Sequence, residues 1–257
     1  MNGFWMQEHT WEEIEKQMAL CKGTAIVPVG STEQHGPHLP TGTDAYAAIA
    51  LADDASARTG AVVTPPLWFG WSPHHLVLPG TISVRAEVLT EVLYDIISSL
   101  HKHGGRGFVV VNGHRIVNIP WMQLAAQRAQ ENLGVRVSIF DPAYMSKEIS
   151  GALGFGPIGH AEEAETSHML FKYPELCKME KAFDFVPAHA RPFYSVDPSY
   201  PGDTQCYVPS TVNDARTTVE RSKGTAGRPT SASAEKGVKY HDHLVARLVS
   251  VIEWLKG

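Results

Sequence analysis

Short apolar segments alternate with helix-length segments over the first 140 residues, and this order constrains the fold more than any other feature. The apolar segments lack the polar alternation of half-exposed strands, as expected for strands covered on both faces. They lie at 24–29, 60–64, 107–111 and 135–140. Helices are predicted between them, at about 43–58, 86–102 and 118–132. The resulting β-α-β-α order predicts an α/β fold, a three-layer α/β/α sandwich with a mainly parallel sheet.

Both ends of the chain are predicted to be helical. Thr10 and Glu13 match a capping box, and the apolar residues after them recur at helical spacing, so we expect a first helix over about 11–21. A second apolar stripe at helical spacing predicts a last helix that runs from near Ser231 toward Trp254.

Glycine and proline punctuate the stretch from about 141 to 230, which predicts long functional loops interrupted by one helix at about 160–172. These residues are Gly151, Gly154, Gly156, Pro157, Pro187, Pro192, Pro198, Pro201 and Pro209. The chain shows no internal repeat and no low-complexity tract. We therefore predict a single domain over residues 1–257.

Composition excludes several classes of function. The chain has 22 Lys and Arg against 27 Asp and Glu, a formal net charge of -5, which argues against nucleic acid as a partner. No stretch approaches the roughly 20 apolar residues of a membrane-spanning helix. The N-terminus lacks the features of a secretory signal, so the cytoplasm is the expected location. Cys21, Cys177 and Cys206 are widely spaced, which indicates reduced thiols.

The strongest chemical signal follows the first long strand. Glu33 and His35 are two residues apart, so in an extended chain they point the same way, and Asp44 at the start of the next helix can return to the same place. Two carboxylates and an imidazole suit a divalent ion such as Zn²⁺ or Mn²⁺. The alternative is a capping box, Ser31-x-x-Gln34, with the histidines in a surface loop. Gly36-Pro37 ends any helix directly after it, which weakens that alternative.

A second signal, Asn112-Gly113-His114, stands at the end of the most apolar strand. Ligands bind outside the carboxyl ends of parallel strands, so we expect His114 at the same edge of the sheet as Glu33 and His35. Alternatively, Asn-Gly is simply a common turn pair.

A third signal is the acidic cluster His160-Ala-Glu-Glu-Ala-Glu-Thr-Ser167, which opens a predicted helix. Acidic residues in a first helical turn are favoured by the helix dipole, which accounts for Glu162 and Glu163 without any function. It accounts less well for His160 and Glu165.

These segments together resemble the creatininase (creatinine amidohydrolase) family. The matching motifs are Gly30–Pro40 with Asp44, Asn112–His114, His160–Ser167 and Gly224–Gly237, in the family's order over nearly the whole chain. The resemblance implies a dinuclear metal hydrolase with an α/β/α fold, usually a hexamer. It also implies a set of metal ligands, with Asp44 bridging two ions: Glu33, His35, Asp44 and His114.

The chain departs from the family pattern directly after His114. Arg115 and Ile116 follow it, and Ile116 stands where creatinine-hydrolysing members have a metal-binding Glu. We expect Glu165 to supply the missing carboxylate. Glu162 replaces a family Gly, Arg228 replaces a family Asp, and 141–160 lacks the tryptophans of those members. Creatinine itself is therefore not the expected substrate.

The donor set predicts a hydrolytic mechanism. Two divalent ions, Zn²⁺ first and Mn²⁺ or Fe²⁺ as alternatives, can share Asp44 and hold a hydroxide between them, because bound water is acidified toward a pKa of about 7. That hydroxide is expected to attack a carbonyl of a small cyclic amide and open its C–N bond. We expect His160 to pass a proton to the leaving atom. Arg115 is a predicted hydrogen-bond donor to a substrate oxygen.

Two alternatives remain open at this point. The first is a hydrolase that opens a C–C bond in a cyclic diketone such as a keto-inositol, for which Arg115, His74 and His75 could donate hydrogen bonds. The second is a metal-binding scaffold subunit without activity, which the change at Ile116 makes conceivable. His38 is expected to support the metal ligands by hydrogen bonding.

Overall fold

A computed structural model describes residues 2–187 and 211–257. Within them the chain forms a five-stranded, fully parallel sheet with the strand order β1-β3-β2-β4-β5. The strands are β1 (Phe4–Trp5), β2 (Thr24–Val29), β3 (Val62–Val63), β4 (Gly107–Asn112) and β5 (Arg136–Phe140). Every residue of β2 and β4 is buried, in agreement with strands that are covered on both faces.

Helices connect the strands and cover both faces of the sheet. In the described ranges they are α1 (Trp11–Leu20), α2 (Thr43–Thr59), α3 (Ala86–Lys102), α4 (Ile119–Leu133), α5 (Pro142–Met145), α6 (Lys147–Leu153), α7 (Glu163–Lys172), α8 (Val212–Ser222) and α9 (Ala234–Lys256). One core joins α2 and α9 to the sheet, and a second core joins α3 and α4 to its other face. The predicted three-layer sandwich is confirmed.

The predicted helices and central strands agree with the structure to within a few residues. The second apolar segment is an exception, because only Val62 and Val63 of the expected 60–64 are in a strand. The short β1 was not predicted. No helix in the described ranges is long and apolar enough to cross a membrane.

The stretch from 141 to 230 contains more helix than the sequence predicted. Besides α7 it forms α5, α6 and α8, so one expected helix was too few. Helix α8 begins with a capping box between Thr211 and Asp214. Cys206 and the prolines at 192, 198, 201 and 209, on which part of the loop prediction rested, lie outside the described residues.

Strand pairing places two of the chemical motifs side by side. In the parallel pair of β2 and β4, Val29 lies opposite Asn112, so the segments that follow both strands leave the sheet at one edge. The amide of Gly113 donates to the carbonyl oxygen of Val29 at 2.7 Å. Helix α2 begins at the same edge and brings Asp44 to it in its first turn.

Candidate metal centre

Asp44 lies between two imidazole rings at this edge of the sheet. Its Oδ1 is 3.1 Å from Nε2 of His35, and its Oδ2 is 3.0 Å from Nδ1 of His114. All three side chains are buried. Each carboxylate oxygen of Asp44 thus faces a different imidazole.

Glu33 is fully buried beside this arrangement, with its Oε1 3.3 Å from Nδ1 of His114. Among the described residues, several buried atoms of the cluster have no hydrogen-bond partner: both carboxylate oxygens of Glu33, Oδ2 of Asp44 and Nε2 of His35. Buried polar atoms are normally paired, so unpaired oxygen and nitrogen atoms at one place need an explanation. Coordination of a cation supplies one.

The charges of the cluster depend on each other. Burial raises the pKa of Glu33 to about 7, against the attraction of His114. Burial opposes the charged form of His35, but Asp44 outweighs it and raises the pKa of His35 to about 10. The pKa of His114 is likewise about 9, because Glu33 and Asp44 outweigh its burial. Burial also opposes ionisation of Asp44, but the two imidazoles bring its pKa well below the usual value. Positive charge at this position therefore stabilises the ionised carboxylates.

Three groups of donor atoms in residues 2–187 and 211–257 are compact enough for a metal ion, with all atoms of a group within 4.8 Å of one another. They are Glu33 with His35 and Asp44, Glu33 with His75 and His160, and His35 with His160 and Glu165. Carboxylate oxygens and imidazole nitrogens are common ligands of Zn²⁺. The residues therefore fit divalent ions.

Glu165, the expected substitute for the ligand missing at Ile116, reaches the cluster from α7. Its Oε2 is 3.8 Å from Nε2 of His35 and accepts a hydrogen bond from the amide of Ala161 at 2.7 Å. Its other oxygen accepts from Arg115 at 2.6 Å. The carboxylate is thus held with Oε2 toward His35.

Arg115 contacts two protein carboxylates through one nitrogen of its guanidinium. Nη2 donates to Glu162 at 2.7 Å as well as to Glu165, and burial is outweighed by these two charges, so the pKa of Arg115 rises well above its usual value. Glu162 is itself fixed, because its other oxygen caps the amide of Ala164. The buried Nε of Arg115 has no hydrogen-bond partner in the described part of the chain. A donor role toward substrate stays a prediction.

Ile116 contributes no ligand atom, as the sequence indicated, but its backbone is unusual. Its φ is 68°, in the left-handed region that β-branched residues rarely adopt. Asp141, which follows β5, accepts from the amide of Ile116 and from Nδ2 of Asn112, both at 2.7 Å. Asp141 was not singled out in the sequence, where an Asp before a proline reads only as the start of a turn.

His160 faces the cluster with one nitrogen. Its Nε2 donates to the carbonyl oxygen of Gln34 at 2.5 Å, and its Nδ1 is 3.6 Å from Oε1 of Glu33. Burial and the neighbouring His35 lower its pKa well below the usual value. The ring is therefore neutral, with the lone pair of Nδ1 directed toward the cluster.

A cleft of about 220 Å³ opens beside His160. His74 and His75 line it together with Phe185 and Thr218. Burial lowers the pKa of His74 to about 4, and burial together with the other imidazoles lowers the pKa of His75 well below its usual value. Lys and Arg are absent from the wall that the described residues form.

Hydrogen bonds around the cluster orient its members. Nε2 of His114 is 3.4 Å from Oγ of Ser72, which is 2.6 Å from Oγ of Ser31. His38 bonds Thr166 on α7 through its Nε2 at 3.1 Å, so it supports the helix that carries Glu165. Sequence reasoning missed Ser72 because only the fold brings this loop to His114.

The fold and the donor atoms define an α/β/α protein with a carboxylate and histidine centre suited to divalent ions. The family model described as creatininase, creatinine amidohydrolase, matches residues 7–252. The chain belongs to the creatininase family, and the predictions of family, fold and hydrolase class are confirmed.

Individual relatives differ in the activity that their names state. The chain is 32% identical to creatinine amidohydrolase of Pseudomonas putida over 235 residues, 84% of this chain and 88% of that protein. It is 31% identical to 3-dehydro-scyllo-inosose hydrolase of Thermotoga maritima over 210 residues, 76% of this chain but only 64% of that protein. A solved mutant creatininase of the Zn-Zn type superimposes with a TM-score of 0.82 at 29% identity, covering 98% of both chains.

Proposed function

We propose that this chain is a dinuclear metal-dependent hydrolase that opens the C–N bond of a small, uncharged cyclic amide. The observation that carries the proposal is the position of Asp44 between His35 and His114, beside Glu33 oxygens that have no hydrogen-bond partner among the described residues. Asp44 with Glu33 and His114 would hold one ion, and Asp44 with His35 and Glu165 the other. Zn²⁺ is the first choice of metal, and Mn²⁺ and Fe²⁺ are the alternatives.

Ions bound at these residues would acidify a water molecule and polarise a carbonyl oxygen. The residues of the chain do the rest. Because Nδ1 of His160 carries a lone pair at the edge of the cluster, this ring takes a proton from the attacking water. It then gives that proton to the leaving nitrogen as the C–N bond breaks.

The cleft beside His160 supports a small and uncharged substrate. Its volume of about 220 Å³ suits a single ring, and the imidazoles that line it are neutral. The carboxylate of Asp214, which also lines the cleft, accepts hydrogen bonds from the amide and hydroxyl of Thr211. A substrate carboxylate would find no cationic partner in the wall that residues 2–187 and 211–257 provide. Neutral amide, hydroxyl and ketone groups can form hydrogen bonds with the imidazoles without the free-energy cost of burying an unpaired charge.

A second candidate is hydrolysis of a C–C bond in a cyclic diketone of the keto-inositol type. The similarity to 3-dehydro-scyllo-inosose hydrolase favours it, since that relative shares 31% of aligned residues. The same attack on a carbonyl applies, and the proton of His160 would go to carbon instead of nitrogen. A homo-oligomer and a cytoplasmic location complete the proposal.

The decisive experiment combines metal analysis with a substrate panel. The protein is purified without chelator, its ions per chain are measured, and it is then assayed with cyclic amides, a keto-inositol and a linear amide. Two ions per chain and ring opening of a cyclic amide are expected. Product from the keto-inositol alone would establish the second candidate. Fewer than two ions after metal is added, with no product, would favour a scaffold subunit without activity.

A further inference from the structure

We propose that His75 is a further catalytic residue, whose Nε2–H donates a hydrogen bond to the substrate carbonyl oxygen, and that Gln34 is the positioning residue that fixes this N–H. The inference rests on the proposed function, because it assigns a role within the same hydrolysis.

The orientation of the Gln34 amide is set by two main-chain groups. Its Oε1 accepts from the amide of Gly36 at 3.1 Å, and its Nε2 is 3.4 Å from the carbonyl oxygen of Gly224. The reverse orientation would set a donor against a donor and an oxygen against an oxygen. It is therefore the amide nitrogen of Gln34 that faces Nδ1 of His75, at 2.8 Å.

This contact fixes the proton of His75. An amide nitrogen can only donate, so Nδ1 of His75 must accept, and a doubly protonated ring could not do so. The neutral ring then carries its single proton on Nε2. A ring with a protonated Nε2 is a hydrogen-bond donor there and is not a metal ligand through that atom.

The N–H of His75 stands where the cluster meets the cleft. Nε2 is 3.3 Å from Oε1 of Glu33, yet that oxygen has no hydrogen-bond partner among the described residues. The N–H of His75 therefore makes no hydrogen bond to this carboxylate. The same ring lines the 220 Å³ cleft. A substrate that enters from the cleft therefore meets this donor as it reaches the cluster.

Gln34 also fixes the neighbouring ring of His160, which faces Glu33 with a lone pair where His75 faces it with an N–H. The rings of His75 and His160 stack with centroids 4.0 Å apart, and Nε2 of His160 donates to the main-chain oxygen of Gln34. Both rings carry their proton on Nε2, but His75 turns an N–H toward Glu33 while His160 turns a lone pair toward it. One residue thus sets a donor and an acceptor side by side.

The two rings have complementary tasks in the reaction. Water oxygen adds to the carbonyl carbon, His160 takes the proton of that water, and negative charge develops on the carbonyl oxygen. His75 stabilises this charge and keeps its own proton throughout. The C–N bond then breaks, and the proton on His160 goes to the leaving nitrogen. Removal of one such preorganised donor typically lowers kcat about 10²–10³-fold.

The test is ¹⁵N NMR of the imidazole nitrogens, which shows the nitrogen that carries the proton, on the full chain without metal and loaded with Zn²⁺. Wild-type His75 is expected to be protonated on Nε2 in both. Gln34→Glu, which replaces the amide donor with an acceptor, is expected to move the proton to Nδ1. The matched control is Gln7→Glu on the exposed surface, which leaves His75 unchanged.

Kinetics of the zinc-loaded protein provide the second readout. His75→Phe and Gln34→Met are expected to lower kcat about 10²–10³-fold, with KM and the number of ions per chain nearly unchanged. A wild-type His75 with its proton on Nδ1, or with Zn²⁺ bound to Nε2, overturns the assignment. The assignment is also overturned if the wild-type protein is active and both variants keep its kcat. Failure of the proposed function has a different signature, namely wild-type protein that hydrolyses no substrate of the panel.

Discussion

Gly113 and Asp44 are in main-chain contact: a Cβ atom on Gly113 would lie 1.9 Å from the carbonyl oxygen of Asp44. Gly113 precedes the ligand candidate His114, and Asp44 lies in the first turn of helix α2, which approaches it. The contact brings two segments about 70 residues apart in sequence to one point, at the usual packing density of protein interiors. The absence of a side chain at Gly113 is therefore what allows His114 to reach Asp44.

Gly113→Ala is expected to disturb the metal centre by moving the start of α2 away from β4. Overpacking of this kind costs about 1–3 kcal/mol of unfolding free energy. We expect a lower melting temperature and fewer bound ions per chain. Gly151→Ala is the matched control, because a Cβ added there in α6 meets no described atom within 4 Å outside the neighbouring helix backbone. Full metal content in Gly113→Ala would contradict this account of the contact.

Glu165→Gln is expected to reduce the metal content from two ions to one and to abolish activity. The substitution removes the charge of the carboxylate whose Oε2 lies 3.8 Å from His35. The measurement is elemental analysis of the purified variant together with its kcat.

The matched control is Glu163→Gln, two residues away on the same helix, where the carboxylate is paired with Lys236 instead of facing the cluster. It is expected to keep both ions. If Glu165→Gln also keeps both ions, Glu165 is no substitute for the ligand missing at Ile116.

The central fold was predictable because its strands are apolar on both faces. Several of its helices also begin at a capping residue or end at a glycine. Helix α2, for example, ends at Gly60 with a left-handed φ of 70°. Helix α8 was missed although Thr211 and Asp214 form a capping box, because the segment is strongly polar and only Val212, Ala215 and Val219 follow at helical spacing. The two-residue β1 has no pattern of its own and depends on pairing with β3.

The centre of the site was also predictable in part. Spacing and the carboxyl ends of strands were enough to bring Glu33, His35, Asp44 and His114 together. The pairing of Arg115 with Glu162 and the hydrogen bond of His160 with Gln34 were not, since these contacts join residues 47 and 126 positions apart. Only the packed chain shows which groups face each other over such distances.

His160→Gln is expected to lower kcat about 10²–10⁴-fold while both ions stay bound. Glutamine can keep a hydrogen bond to the Gln34 carbonyl but has no basic nitrogen at the position of Nδ1. Loss of one ion would instead identify His160 as a ligand, since a nitrogen of its ring lies within 4.8 Å of donor atoms of His35 and Glu165. The control is His103→Gln, an exposed histidine at the end of α3.

A buried network away from the cluster predicts a pH dependence of stability. Nε2 of His168 is 2.8 Å from Nδ1 of His241, whose own Nε2 is 2.8 Å from Asp54. Burial, with His241 and Lys172 nearby, lowers the pKa of His168 well below 6.5. Because the unfolded chain binds a proton at this histidine below pH 6.5 and the folded chain does not, stability is full above pH 6.5 and falls as the pH drops.

His168→Gln is therefore expected to flatten this dependence, since glutamine can still donate to His241 but does not titrate. From pH 7.5 to 5.5 the wild-type chain should lose about 1.4 kcal/mol more unfolding free energy than the variant. The measurement is urea unfolding at both pH values with the same metal content. His103→Gln, exposed at the end of α3, should keep the wild-type dependence. Parallel losses in the wild type and in His168→Gln would show that His168 already accepts a proton in the folded chain.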